Sequence, residues 1–245
     1  MIENKPTDEK EKVKIQSLMN QKGMTLIELL VALIIAGMII AGIYRVFVTQ
    51  SKAYTVQDQI VDVQQNIRND MEIVLRDLRM TGYDDDHFNS TIAFPYMEGE
   101  SNGPGIVSLG DHAITLEYEY YDLTSAQYQR HRIGYWRDAP SSTLYRQRTV
   151  DNVAGTPEVL LENVDEFNLT YGVDQNPKDG AMDDRNGNGM NDANDWVSAG
   201  NLGTMKVVAV RVRLTAKPNQ VHPDLKAVSP RTLESIVTLR NLVNK

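Results

Sequence analysis

The 245-residue chain has no cysteine. No disulfide can brace it, and no thiolate is present as nucleophile or metal ligand. That composition suits a cytosolic protein, or an exported one held together by other means. A surplus of positive charge is also missing. The 25 Lys and Arg against 33 Asp and Glu leave a net charge of −8, which argues against a nucleic-acid partner held by a basic surface. The four histidines, His87, His112, His131 and His222, are scattered without ligand spacing. There is no glycine-rich phosphate loop and no G-x-S-x-G elbow, so nothing in the sequence marks an enzyme. Proline is absent between Pro6 and Pro95, which leaves that stretch free to be helical.

Long apolar runs are scarce as well, and only one is suited to a membrane. Leu29 to Tyr44 carries no charge over 16 residues, and the run counted from Met24 through Glu28 reaches 21, against about 20 needed to span a bilayer. Lys5, Lys10, Lys12, Lys14 and Lys22 precede it, while only Arg45 and Lys52 follow closely. That bias leaves the N-terminus cytoplasmic and sends the remainder across. A cleavable secretory signal needs small residues spaced as A-x-A after the run. Ala32, Ala36, Gly37, Ala41 and Gly42 are the small residues here, and no two of them are two apart. A plain anchor leaves Glu28 unexplained, because a carboxylate at a helix centre in lipid costs about 2.5–3.5 kcal/mol on insertion scales.

The stretch KGMTLIELLVALIIAG, residues 22 to 37, resembles the leader junction of type IV pilins and type II secretion pseudopilins. The resemblance implies that a prepilin peptidase in the inner membrane cuts between Gly23 and Met24 and methylates the new N-terminus. Residues 1–23 are then a leader peptide, and Glu28 is fifth in the mature chain. Met24 stands where phenylalanine is commoner in that family. The cut exposes a charged amine at Met24, and the Glu28 carboxylate of one subunit can pair with the amine of a neighbour during filament assembly. A buried charge is tolerated when paired and costly when alone, so such a pair checks register. Ala32, Ala36 and Ala41 with Gly37 and Gly42 either let helices approach closely or are simply common residues of membrane helices.

Beyond the run, Val56, Ile60, Val63, Ile67, Met71, Val74 and Leu78 recur at steps of three or four, which predicts one amphipathic helix continuing from Met24 to about Met80. Gly82 is its expected stop. Residues 84–105 are rich in turn formers and read as loop; Asp84, Asp85, Asp86 and His87 within it could ligate a metal, but a charge run beside a helix end is usually just solvated. From Gly105 the pattern has period two. AITLEYEYYD, QRHRIGYWRD, TLYRQRTV, EVLLENVDEFNLTYGVD (a strand pair or one bent strand), MKVVAVRVRLTAK and LESIVTLRNLV read as antiparallel strands with one face covered. The expected fold is α+β: a transmembrane or filament-core helix over 24–45, an amphipathic continuation over 46–81, and an antiparallel β domain over 82–245 packed on it.

These segments extend the resemblance. LRDLRMTGYD at the helix end and the ordered strands are similar to PilW-type minor pilins, with J-type pseudopilins of type II secretion as a related group. Arg45 stands about where major pilins commonly carry a kinking proline, which suits an initiating subunit better than a shaft subunit.

One further motif carries chemistry. In DDRNGNGMNDANDW, residues 183–196, Asp184 as first position places Asn186 third, Asn188 fifth, Gly189 sixth, Met190 seventh, Asp192 ninth and Asp195 twelfth. That order fits an EF-hand-type calcium loop, with Met190 contributing its backbone carbonyl. Asparagines at the third and fifth positions and a closing aspartate lower the expected affinity to about 10⁻⁴–10⁻³ M. Asp179 and Asp183 are alternative donors. An Asn-Gly turn is the other use of the same residues. PilW-type proteins often have an aspartate- and glycine-rich loop here, and a Ca2+ clip would restrain it in a chain without disulfides.

The resemblance implies a minor pilin that primes assembly of a type IV pilus and is incorporated into it, at its tip. Its expected partners are prepilin peptidase, other minor and major pilins, the pilus assembly platform and the inner membrane. The β domain is expected to be periplasmic, and extracellular after assembly. Two alternatives stay open: a J-type pseudopilin of a type II secretion system, and a calcium-stabilised surface adhesin.

Overall fold

In the computed structural model, residues 23–84, 106–175, 179–203, 205–218 and 229–243 are described. The expected leader up to residue 22, and Asp85, Asp86 and His87 of the charge run, lie outside them. The chain divides into two compact units, Met1–Tyr54 and Thr55–Lys245, with the boundary inside helix α1, Leu26–Met80.

The N-terminal part of α1 is apolar and exposed: Leu26 is 78% exposed, Leu33 64% and Phe47 66%. This helix is long and apolar enough to cross a membrane. In the second unit the helical period takes over. Val63, Ile67, Met71, Val74, Leu75 and Leu78 are buried, whereas Val56 and Ile60 are only half-buried. The stripe therefore becomes core later than its sequence pattern begins. Gly82 has φ +75°, the left-handed conformation that ends a helix at little cost only with glycine.

The stripe packs on β-structure. One sheet has six strands: β1 (Ile106–Leu109), β2 (Ala113–Asp122), β3 (Gln127–Asp138), β4 (Thr143–Val150) and β5 (Val153–Ala154) in order, with β6 (Glu158–Leu161) also on β4. The second has three, β7 (Val164–Asp174), β8 (Lys206–Ala216) and β9 (Arg231–Thr238). All these strand pairs are antiparallel. The core joins the helix stripe to Ile114, Leu116, Ile133 and Leu144 of the first sheet and Phe167, Val210, Val212 and Leu214 of the second. The α+β architecture expected from the sequence is present.

Three details refine or differ from that expectation. Of the two readings of EVLLENVDEFNLTYGVD, two strands is the one found, but they lie in different sheets, with Asn163 at φ +56° turning the chain between them. The short β1 and β5 have too few residues to show a period. LESIVTLRNLV ends as a helix, α2 (Arg240–Val243), after Leu239 is buried. Asn241 Nδ2 there donates to the carbonyls of Arg79 and Thr81 at 3.0 and 3.3 Å, satisfying acceptors that the end of α1 leaves open.

Charges also enter the core. Asp77, on the buried side of α1, accepts from Tyr135 Oη at 2.5 Å and from Arg146 Nη2 and Nε at 2.9 and 3.1 Å. Burial, then the Asp77 charge, pushes the Tyr135 phenol above its ordinary range. Breaking a buried pair of this kind typically costs about 3–5 kcal/mol, because the remaining charge stays buried. His131 is fully buried and stacks on Tyr118 and Tyr120, with ring centroids 5.3 and 4.6 Å away. Arg148 Nε lies 3.1 Å from its Nδ1, and since arginine only donates, Nδ1 accepts and the ring is neutral.

Burial, followed by the Arg148 charge, holds the His131 pKa down to about 4 from 6.5. The folded value is below the unfolded one, so the unfolded chain takes up the proton first as pH falls. His131 therefore has no pH-linked cost above pH 6.5 and lowers stability progressively between pH 6.5 and about 4, by on the order of 3 kcal/mol. Denaturant unfolding of wild type and His131→Gln at neutral pH and near pH 4.5 checks this: the difference between the two proteins should shift with pH across that window. A difference independent of pH would show that His131 takes up its proton as readily in the fold as in the unfolded chain.

Candidate functional site

Two places bring the sequence-derived residues together. At the first, Gly23 and Met24 precede α1 in irregular backbone, both exposed. A Cβ added to Gly23 would meet nothing within 4 Å, and its φ is not left-handed. The fold itself has no need for glycine at this position.

Glu28 sits in the first turn of α1. Its Oε2 accepts from Thr25 N and Thr25 Oγ1, both at 2.9 Å, while Glu28 N donates to Thr25 Oγ1 at 3.3 Å. This is a capping box, in which threonine and glutamate three residues apart satisfy each other's backbone donors. It explains why the helix begins at Leu26 rather than Met24. Thr25-x-x-Glu28 ahead of an apolar run is that signature in the sequence itself. All three bonds run through Oε2 or the backbone, and Oε1 bonds to none of the described residues.

The second place is the β7–β8 connection. Asp183 N donates to Val173 O at 2.8 Å and Gln175 N to Asp183 Oδ2 at 2.8 Å, closing the base of the loop. Asp184 Oδ1 accepts from Gly187 N at 2.8 Å and Asn188 N at 3.2 Å, and its Oδ2 accepts from Gly189 N. This tight curl requires Gly187 and Gly189 at φ +72° and +79°. Asn186 and Asn188 present Oδ1 to the N–H groups of Asn188 and Met190 at 3.0 and 2.8 Å. Their Nδ2 atoms donate to Asp192 at 3.1 and 2.8 Å. The Asn194 N–H first, and these amides next, hold the Asp192 carboxyl below its usual range.

Asp195 closes the curl from inside. It is fully buried and accepts from Arg185 N at 2.8 Å, Asn186 N at 3.3 Å and Asp192 N at 2.7 Å. Asp192 and Asp195 also form the capping box of a 3-10 turn, Ala193–Asp195. Beyond it, Val197 bridges Tyr171 through bonds of 2.8 and 2.9 Å, and Arg211 lies over the Trp196 ring at 4.7 Å. The loop is thus tied to the second sheet at both ends. Met190 is 71% exposed and contributes only main-chain groups to the curl.

The donor set suits a hard cation in kind. Asp184, Asn186, Asn188, Asp192 and Asp195 offer oxygens, and each asparagine Oδ1 uses one lone pair on a backbone N–H, leaving the other. Among the described residues no three His, Cys, Asp or Glu side chains converge as a metal cluster, so amide and carbonyl oxygens have to supply part of any shell. Sequence reasoning did not identify Asp195 as the loop's internal fastener. Its position only three residues after Asp192, the capping-box spacing, was the available signal.

Comparison with known families matches both ends of the chain. Residues 18–44 match the prokaryotic N-terminal methylation motif. Residues 128–239, from β3 to the residue after β9, match the family described as type IV pilus-assembly protein W. No curated protein and no solved structure matches the chain significantly.

Asp195→Ala leaves three backbone donors without their acceptor, at about 1–3 kcal/mol if they stay buried. Hydrogen exchange followed by mass spectrometry should show faster exchange over residues 185–192, with the α1 stripe unchanged. Unchanged exchange in the loop would mean that Asp195 does not hold it.

Proposed function

We propose that the chain is a PilW-type minor pilin that primes a type IV pilus and stays in it near the tip, a reading supported by the match of residues 18–44 to the N-terminal methylation motif and of residues 128–239 to type IV pilus-assembly protein W. Its role is structural rather than catalytic. One observation carries the reading: a prepilin methylation motif and a PilW domain stand on the same chain, at residues 18–44 and 128–239.

The mechanism follows from the N-terminal geometry. Prepilin peptidase cuts after Gly23, a glycine that no contact within the fold requires. Before assembly the exposed apolar part of α1 lies in the inner membrane, with the β domain on the periplasmic side. Glu28 then does two jobs with two oxygens. Oε2 caps its own helix, and Oε1 faces the Met24 amine of the adjacent subunit. Pairing there offsets the cost of taking both charges out of water, and a misregistered subunit loses that offset.

The β7–β8 loop is part of the same proposal as a weak Ca2+ site. Asp184, Asn186, Asn188, Asp192 and Asp195 with the Met190 carbonyl would hold the ion, which would supply a staple in a chain that has no disulfide. The oxygen-only donor set and the left-handed glycines support it. Calorimetric titration of the purified full chain in detergent with calcium chloride should give a Kd of about 10⁻⁴–10⁻³ M, lost in Asp184→Asn. No heat and no added protection of residues 184–195 up to about 10 mM calcium would leave the loop as an Asn-Gly turn.

Glu28→Gln is the informative variant for assembly. It keeps an acceptor oxygen for Thr25 but removes the charge, so the helix stays capped while the intersubunit pair is lost. We expect normal cleavage and at least about a tenfold fall in the amount recovered in sheared filaments, the size of a 1.4 kcal/mol effect. Wild-type incorporation of Glu28→Gln would show that Glu28 only caps its own helix. Lost exoprotein secretion with intact pili would place the chain in a type II secretion filament instead.

A further inference from the structure

The sheet edges of the second unit are not equally protected. In the six-stranded sheet, β5 has two residues and β6 four, and the β1–β2 and β4–β6 pairings carry register irregularities. Short or bulged edges resist addition of a foreign strand. β7 is bridged by Val197 along its outer side. β9 differs from all of these. It runs eight residues, Arg231–Thr238, in unbroken register with β8, from Ala216↔Arg231 to Ala209↔Thr238. It contains no proline and no lysine, the residues that commonly blunt an edge.

The direction of its backbone groups follows from one bond. Leu239 N donates to Val208 O at 2.8 Å, and hydrogen-bonded pairs alternate along an antiparallel ladder. The odd-numbered residues of β9 therefore bond to β8. Thr232, Glu234, Ile236 and Thr238 turn N–H and C=O outward, and no described residue bonds to them there. The side chains of the same four residues are exposed, Ile236 by 56%.

Charge flanks this edge at both ends. A groove of about 500 Å³ beside its start is lined by Gln64 and Arg68 of α1 with Arg231, Thr232 and Leu233. A second, of about 450 Å³ beside its end, is lined by Arg79 with Ile236, Thr238, Arg240 and Asn241. Neither lining contains an acidic residue. None of Arg68, Arg79, Arg231 and Arg240 forms an ion pair among the described residues, whereas Arg76, Arg132 and Arg213 do. Arg231 Nε is shielded from solvent and has no hydrogen-bond partner among the described residues. Glu234, exposed in the middle of β9, is the strand's single carboxylate, so in a chain of net charge −8 four arginines without an ion pair among the described residues still leave this edge locally positive at its two ends.

We propose that β9 is an assembly edge: it receives an extended strand of a different filament subunit, whose carboxylates meet Arg68 and Arg231 at one end and Arg79 and Arg240 at the other. Main-chain bonds to residues 232, 234, 236 and 238 supply the grip, and the arginines supply register and direction. The acidic groups of the incoming strand stand about five to nine residues apart, the span between the helix pair Arg68 and Arg79 and the pair Arg231 and Arg240 at a rise of about 3.3 Å per residue. A second copy of this chain fits poorly. Two-fold pairing of β9 with itself brings Arg231 of each copy toward Arg240 of the other, and like charges across a strand pair repel. The inference rests on the co-assembly reading above.

The test uses the full chain in cells, with benzoylphenylalanine in place of Ile236, irradiation of sheared filaments and mapping of the cross-linked peptide. We expect an extended, carboxylate-bearing segment of another filament protein. In parallel, Ile236→Pro removes an outward N–H without touching the bonds to β8, and the Arg79→Glu, Arg231→Glu pair reverses charge without touching the ladder at all. Both should be cleaved at Met24 as wild type is, yet fall at least tenfold in filaments. A cross-link to β9 of a second copy, a cross-link to lipid or to nothing, or wild-type incorporation of both variants overturns the inference while leaving the minor-pilin reading in place. Absence of the wild-type chain itself from filaments removes that reading, and the edge proposal with it.

Discussion

Everything in this chain follows from one helix having to satisfy two surroundings. Over its first part α1 exposes Leu, Ile, Val, Met and Phe on all sides, which water does not favour and lipid or other apolar helices do. Over its last part the same helix buries one stripe, Val63 to Leu78, and turns charge outward. A continuous helix hands one requirement to the other because no proline interrupts residues 26 to 80. The two β-sheets exist to cover the stripe. Neither sheet is closed by a disulfide, so helix burial and the polar ties to it hold the domain.

Those polar ties limit how α1 can sit on the first sheet. Apolar stripes tolerate small slips, whereas the Asp77 carboxylate reaches Tyr135 and Arg146 in only one register. A slip would leave a charge buried without its partner, which costs more than the pair itself gains. The loop before β8 is organised on the same principle. Asp184, Asp192 and Asp195 each gather backbone N–H groups, so the curl is built around carboxylates.

The coarse architecture was legible because it depends on long periods. Seven apolar positions at helical spacing, Gly82 as a stop and the alternation of Val210, Val212 and Leu214 needed no tertiary knowledge. Extended back to Val208 the alternation fails: a register shift between Gly172 and Val173 puts Val207 in the core cluster instead. Asp77 was not legible: on the helix it is one carboxylate among several, and only the distant Arg146 shows why it is buried. The split into two sheets falls at Asn163, whose φ is left-handed, a conformation asparagine tolerates without requiring it. The N-terminal site was read from a family resemblance, and its local half, the Thr25–Glu28 capping box, was overlooked although its spacing was plain. The β7–β8 motif was read position by position. That Asp195 points inward while Met190 remains exposed came only from the folded loop.

The central claim is that this helix is cut free of its leader and enters a filament. The most direct measurement is mass spectrometry of sheared surface filaments, searching for the N-terminal peptide of this chain. The account predicts a peptide that begins at Met24 with a methylated amine. A chain that keeps residues 1–23 in the membrane and is absent from filaments would contradict it, and Glu28 would then be a helix cap and nothing more.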